Sequence, residues 1–275
     1  MSQSFAYFDR LIDAFENGRT GRCSHLGHWD LRPDGIPDVR PEITFQMAQQ
    51  RMDDVMLELA NLKSGQFVLD IGCGLGGLIE RIDSRFSGLQ LSGINVDPRQ
   101  LDVCQRLRSK AENVIRWHEA DACDLPFENN SFDTVFCVEA MFHFDSRARF
   151  LEQALRVLKP GGRLVMSDIV LLDSPHISST PRFMIEAILN DGYGPWPDPW
   201  ALQGTSADIC QRLGSARVQS FDATAQTLPT YEYIIPQKHS DHRDPGDASS
   251  RAAMLLRWLH RNGGLRYEYV TAIKP

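Results

Sequence analysis

Residues 67–77 read FVLDIGCGLGG, a short apolar run that ends in Asp70 and breaks into Gly72, Gly74, Gly76 and Gly77. A buried strand that opens into a glycine-rich turn lets the backbone approach a ligand closely, because any larger side chain would fill that space. The chemistry implied is the cradling of a nucleotide-like cofactor across the turn. Gly72, Gly74 and Gly77 satisfy the dinucleotide spacing G-x-G-x-x-G, which alone does not say which cofactor is meant. A nicotinamide dinucleotide site wants an acidic residue at the tip of the second strand to hold a ribose. In residues 89–96 (LQLSGINV) that tip is Asn95, followed by Val96, with Asp97 just beyond.

Further landmarks follow in order. Residues 119–127 (EADACDLPF) precede a third clear strand, FDTVFCV at 132–138, and LRVLKPGGRLVMSD occupies 155–168. With these segments in place, the set VLDIGCGLGG, GINVDPRQ, ADACDLPF, SFDTVFCVEAMFHF and RVLKPGGRLVMSDIV resembles the class I S-adenosylmethionine-dependent methyltransferases. The likeness is greatest to their small-molecule, natural-product branch of O-, N- and C-methyltransferases. It covers about residues 55 to 172, and extends weakly to HLGHWD at 25–30 and GLRYEYV at 264–270.

That resemblance implies S-adenosyl-L-methionine as cofactor, S-adenosyl-L-homocysteine as product, and a set of site residues. The backbone of Gly72, Cys73, Gly74 and Gly76 passes the methionine part, and Asp70 reaches its amino group or caps the turn. Asn95 replaces the family's ribose-binding acid, and an amide still donates and accepts. Gln100 is a second ribose candidate, and Asp97 either a third or the cap of the helix begun by Pro98. Asp121 corresponds to the contact with the adenine amino group, with Ala122 beside it, and Glu139 follows the fourth strand in the same crevice. Methyl transfer is an in-line displacement of an already activated methyl, so the enzyme aligns the nucleophile and, for a hydroxyl or carbon acid, removes a proton. His143 is the candidate base and Asp168 the residue that orients or charges it; the alternatives are a packed loop histidine and a turn cap.

The elements that must position these residues read as an α/β fold: a seven-stranded Rossmann-like sheet, mostly parallel with one antiparallel strand and helices on both faces. Residues 1–62 form an N-terminal helical lid, with helices over 5–20 and 42–62 joined by a Gly- and Pro-rich loop. The cofactor-binding core spans 63–172. Residues 173–204 break the alternation and are expected to form a cap, with a short helix at 181–190 and then GYGPWPDPW. Trp29, Phe183, Tyr193, Trp196 and Trp200, with Met184, would give an aromatic roof suited to a flat or apolar substrate, or simply pack the cap. Residues 205–275 complete the core: a helix at 206–213, a strand ending PTYEYII at 229–235, a polar and mobile stretch at 236–248, a helix at 249–262 and a strand at 265–273, the last two strands forming a hairpin.

Composition bounds the partners. The chain has 275 residues, 42% of them hydrophobic, and a net charge of −7 that disfavours nucleic acid. No apolar run nears the roughly 20 residues that span a bilayer, and the first residues lack signal-peptide character, so a cytoplasmic monomer or homodimer acting on a small molecule is expected. Six cysteines without a C-x-x-C pair read as reduced thiols. His25-x-x-His28 lacks partners for a tetrahedral set, so no metal is expected. An O-methyltransferase is favoured over a C-methyltransferase acting on an isoprenoid or aromatic carbon. Behind these stand an NAD(P)-linked oxidoreductase and a non-catalytic binding module. No Asn-Pro-Pro-Tyr motif points to base methylation.

Overall fold

A run of β-branched and aromatic residues buried on both sides makes a central strand of a parallel sheet. Phe67–Ile71 and Phe132–Cys137 are two such runs, and each leads from its carboxyl end into loop residues that carry polar groups. The computed structural model describes residues 6–177, 179–202, 204–235 and 247–275. Most of the expected 236–248 connection lies outside these.

In chain order the elements are α1 (Ala6–Glu16), α2 (Phe45–Ala60), β1 (Phe67–Ile71), α3 (Gly77–Arg85), β2 (Gln90–Asn95), α4 (Pro98–Cys104), β3 (Val114–Glu119) and β4 (Phe132–Cys137). A 3-10 turn (Met141–His143) leads to α5 (Arg147–Val157), β5 (Leu158–Leu171), α6 (Arg182–Tyr193), α7 (Ser206–Arg212), β6 (Arg217–Asp222), α8 (Thr224–Thr227), α9 (Tyr231–Ile234), α10 (Ala248–Arg261) and β7 (Leu265–Ile273). The seven strands form one sheet in the order β3-β2-β1-β4-β5-β7-β6. All ladders are parallel except those of β7, which runs antiparallel to both β5 and β6. The strand order reverses between β1 and β4, the place where open α/β sheets form their ligand crevice.

Alternation along each strand sorts the core into two layers. Val68, Phe136, Val165, Tyr267 and Tyr269 face one side, where Met52 and Met56 of α2, Ile79 and Ile82 of α3, and α6 and α10 cover them. Leu69, Ile71, Val135, Leu164 and Met166 face the other, under Phe150, Leu151 and Ala154 of α5 and Ile209 of α7. Helix α6 packs so closely on α10 that a Cβ at Gly192 would stand 2.4 Å from that of Ala252.

Two expectations are corrected. Residues 229–235 are not a strand. Their apolar and β-branched content misleads, but Thr227, Thr230, Tyr231 and Ile235 are buried, a spacing of three and four that belongs to helical turns. The strand of this region is β6, an edge whose side chains are nearly all exposed and which therefore carries little apolar signal. Strands β6 and β7 are antiparallel neighbours but not a tight hairpin, because α8, α9 and α10 lie between them. Edge strand β3, likewise poor in buried positions, is not singled out by the sequence pattern.

Candidate active site and cofactor cradle

The glycine turn leaves the end of β1 with the N–H groups of Gly72 and Cys73 both donating to the Ile94 carbonyl at 3.0 Å. Gly72 has φ of 72°, and a Cβ there would stand 2.4 Å from that of Ala140 in the loop after β4. The two sides of the switch point are therefore in contact. A strap of residues 22–26 crosses the turn. Arg22 Nη1 donates to the Leu75 carbonyl at 2.7 Å, and a Cβ at Gly77 would stand 2.9 Å from Cys23 Sγ. Ser24 Oγ lies over Gly74.

Asp70 is only 3% exposed, yet its carboxylate has no hydrogen-bond partner among the described residues. Burial, with the Asp53 carboxylate adding to it and His25 partly offsetting it, pushes its carboxyl up to about 7. A buried carboxylate left without a donor calls for an incoming cation or N–H group. Asn95 Nδ2 donates to Gln100 Oε1 at 3.0 Å, which leaves Gln100 Nε2 buried with no partner among the described residues. That donor suits a hydroxyl. Asp97 caps α4, accepting from Arg99 N at 3.0 Å, and pairs with the Arg99 guanidinium, so its carboxylate is spoken for. Val96 beside it is 53% exposed, an apolar side chain free to lie against a ring. Asp121 is exposed and holds its own turn through Cys123 N at 2.7 Å, with Ala122 buried next to it. The buried thiol of Cys73 lies beside that of Cys104, which donates to the Gly74 carbonyl at 3.3 Å.

Across the switch point Glu139 has φ of 48°, an uncommon conformation for a residue with a side chain. Its Oε1 accepts from Leu26 N at 2.8 Å and from Tyr267 Oη at 2.6 Å. Burial raises its carboxyl above the usual range, while His25 and these two donors pull it back. His143, at the end of the 3-10 turn, sits among aromatic rings. Phe142 is 4.6 Å away between centroids, Trp196 6.1 Å and Phe8 of α1 6.3 Å. Tyr7 meets Tyr193 edge-on at 5.1 Å on the same side. His143 Nδ1 lies 3.0 Å from the Pro195 carbonyl, an acceptor, so Nδ1 carries the proton and Nε2 the lone pair. Desolvation in this box, only partly offset by the carbonyl, drops its pKa to about 4.

The expected pairing of Asp168 with His143 is not formed. Asp168 is fully buried and bonds to the Arg147 guanidinium and to Ser206 Oγ, the latter at 2.8 Å. Arg147, the first residue of α5, captures the carboxylate before the imidazole can. Phe183 is also misplaced as a roof residue, at 69% exposed. Helix α6 buries Ile185, Leu189 and Gly192, and Phe183 lies about 200° around the helix from Ile185. Trp29 is buried in a cluster with Phe45, at 6.3 Å, and Tyr233, at 5.7 Å. Trp200 bonds Glu186 at 2.7 Å and carries Arg182 on its face. Tyr193 and Trp196 are the roof residues that stand near His143. Sequence reasoning missed Ser24, Tyr7 and Tyr267, which reach the site from far along the chain.

A methyltransferase domain model matches residues 69–166. Methyltransferase GfsG of Streptomyces halstedii is 35% identical over 216 residues, covering 77% of this chain and 72% of that protein. The (+)-O-methylkolavelool synthase of Herpetosiphon aurantiacus is 33% identical over 248 residues, covering 86% and 79%. This chain is a class I S-adenosylmethionine-dependent methyltransferase. The fold of the methyltransferase is also that of geranyl diphosphate C-methyltransferase from Streptomyces coelicolor, solved with Mg2+, geranyl diphosphate and S-adenosyl-L-homocysteine. The two agree with a TM-score of 0.73 at 16% identity, covering 99% of each chain. The cofactor of the methyltransferase is S-adenosylmethionine, and the unpartnered groups of Asp70 and Gln100 fit its ammonium and ribose. Among the described residues no helix is long and apolar enough to cross a membrane.

Proposed function

We propose that this methyltransferase methylates a hydroxyl oxygen of a small, largely apolar natural-product-type acceptor, with His143 as the base. The observation that carries the reading is the tautomer of His143. Its Nδ1–H is fixed on the Pro195 carbonyl, and its lone-pair nitrogen has no protein partner among the described residues. When bound, S-adenosylmethionine supplies a methyl group activated by its sulfonium. Asp70 takes the amino group, Gln100 and Asn95 the ribose hydroxyls, and Val96, Asp121 and Ala122 the adenine. Glu139 and the glycine turn (Gly72 to Gly76) border the methionine part. A low pKa keeps His143 neutral, able to accept the acceptor's hydroxyl proton at Nε2. Tyr7, Phe142, Tyr193 and Trp196 exclude water and present flat apolar surface.

The relative named (+)-O-methylkolavelool synthase, together with this apolar box, supports an apolar alcohol as the acceptor class. Burial of Asp168 on Arg147 leaves it a structural partner of α5 rather than a proton carrier. Carbon methylation is the second reading, favoured by one observation. The Glu139 carboxylate lies close enough to the hydroxyls of Tyr7, Tyr193, Tyr231, Tyr267 and Tyr269 to raise the pKa of each. A carboxylate ringed by aromatic side chains also suits a developing carbocation. Free thiols at all six cysteines support a reducing, cytoplasmic setting, and the acidic charge supports a small-molecule partner over nucleic acid.

The test is methyl transfer to a panel of terpenoid and polyketide alcohols and their olefin counterparts, with the product's methyl located by carbon NMR. A methoxy carbon with loss of turnover in His143→Ala supports the reading. A new carbon–carbon bond, or wild-type turnover in His143→Ala, overturns it.

A further inference from the structure

We propose that Cys23, His25 and Asp53 form a binding site for a borderline-soft divalent cation of the zinc class. The three residues come from two elements, the strap over the glycine turn and α2, and the donor atoms all lie within 4.8 Å of one another. His25 Nε2 is 3.1 Å from Asp53 Oδ1, and Cys23 Sγ is 3.4 Å from Asp53 Oδ2. Donors held about 2.0–2.3 Å from one tetrahedral ion stand roughly 3.3–3.8 Å apart, so small adjustments bring these three onto a common centre. The other spacing in this region does not converge: His28 Nδ1 is turned to Tyr269 Oη, 2.8 Å away.

The surroundings are those of a ligand set. His25 Nδ1 lies 2.7 Å from the Leu26 carbonyl, which must accept a hydrogen from it. That bond fixes the ring and directs Nε2 at the cluster, as outer partners of metal-bound histidines do. Gln49 Nε2 donates to the carbonyls of Cys23, at 3.1 Å, and His25, at 2.9 Å, and so holds both ligand-bearing residues in place. Cys23, Gln49 and Asp53 also line a cleft of about 480 Å³ that opens this side of the cluster to the surface, its other charged groups being mostly Arg and Lys.

An imidazole, a thiolate and a carboxylate together are a donor set of the kind that holds a borderline-soft divalent cation. Such an ion would clasp the strap to α2 beside the cofactor turn.

The experiment uses the full chain, stripped with chelator and titrated with Co(II), a spectroscopic stand-in for Zn(II). The expected result is one cobalt per chain and a thiolate-to-cobalt charge-transfer band. Cys23→Ser should abolish the band, and Asp53→Asn should weaken binding by more than about 100-fold. Circular dichroism reports the fold of each variant, and Cys104→Ser should keep the band. Failure to retain cobalt in the wild type overturns the proposal. So does a band that survives Cys23→Ser or is lost only in Cys104→Ser. Because Cys23→Ser differs by one atom at a partly exposed position, it keeps the test open should Asp53→Asn fail to fold.

Discussion

Tyr267 donates its phenolic hydrogen to Glu139 across 2.6 Å, joining the last strand of the sheet to the residue that follows β4. Glu139 sits at positive φ and also accepts from the Leu26 N–H of the strap, so one carboxylate ties three distant stretches of chain together. Tyr267→Phe should cost about 1–3 kcal/mol, the penalty for leaving a buried acceptor short of a donor, measured by urea unfolding. Burial already raises the Glu139 carboxyl, and loss of the hydroxyl raises it further. A group whose folded pKa is raised contributes stability at low pH that is lost as pH climbs through the folded value. The variant's deficit should therefore grow with pH above the ordinary carboxylate range; a deficit independent of pH would contradict this.

His143→Ala should lower turnover by roughly 10²–10⁴-fold while leaving affinity for S-adenosylhomocysteine unchanged. With its pKa near 4, His143 is neutral through the physiological range. Its limb of the rate profile should then fall off only below about pH 5, and the profile of kcat should show no inflection near 6.5 from this group. An inflection there that disappears in the variant would show a wetter imidazole than the aromatic box implies.

Asp70→Asn should separate stability from binding. The Asp70 carboxyl titrates at about 7, so in the free protein it must shed a proton to receive an ammonium at lower pH. Wild-type affinity for S-adenosylhomocysteine should therefore weaken as pH falls below 7, and Asp70→Asn should bind at least about tenfold more weakly and lose this component of the slope. Holding that carboxylate charged at pH 8 costs the cofactor-free fold on the order of 4 kcal/mol by linkage, so the variant should melt higher there. Calorimetric titration and thermal unfolding in the absence of cofactor read the two effects. A variant that melts lower at pH 8 would mean that Asp70 holds the turn together.

Arg147→Met should be among the most damaging substitutions outside the cofactor turn. Asp168 is 1% exposed, with one oxygen already lacking a partner among the described residues. Removing the guanidinium leaves a buried carboxylate with only Ser206, a loss of about 3–5 kcal/mol. Urea unfolding checks it. The double variant Arg147→Met with Asp168→Leu should recover part of the loss, since a well-packed apolar pair replaces an uncompensated charge.

Asp121→Ala should weaken cofactor binding without changing stability by more than about 1 kcal/mol, because the residue is exposed and holds only its own turn. Unchanged affinity would remove it from the adenine site.

The core was legible because it rests on local signals. Two-sided burial at Val68–Ile71 and Phe132–Cys137 and the Asp97–Pro98 start of α4 are each written within a few residues. Where the sequence misled, the deciding contact lies far along the chain. Asp168 lies within β5, three residues before its end, and Arg147, twenty-one positions earlier, takes it. The PTYEYII run has strand-like composition, yet Tyr231 is packed against His260. The strap's grip on the glycine turn has no local signature at all. The meeting of Cys23 with Gly77, with the bond from Arg22 to the Leu75 carbonyl, reveals it.

That meeting changes what the glycine fingerprint records. Gly72 is crowded by Ala140 and Gly77 by Arg22 and Cys23, and in neither case is the crowding atom a ligand. The spacing usually taken as an imprint of the cofactor is here also an imprint of the chain on itself. Variation at these two positions is constrained twice over, and a substitution there should fail in assembly of the fold before any defect in binding is observed.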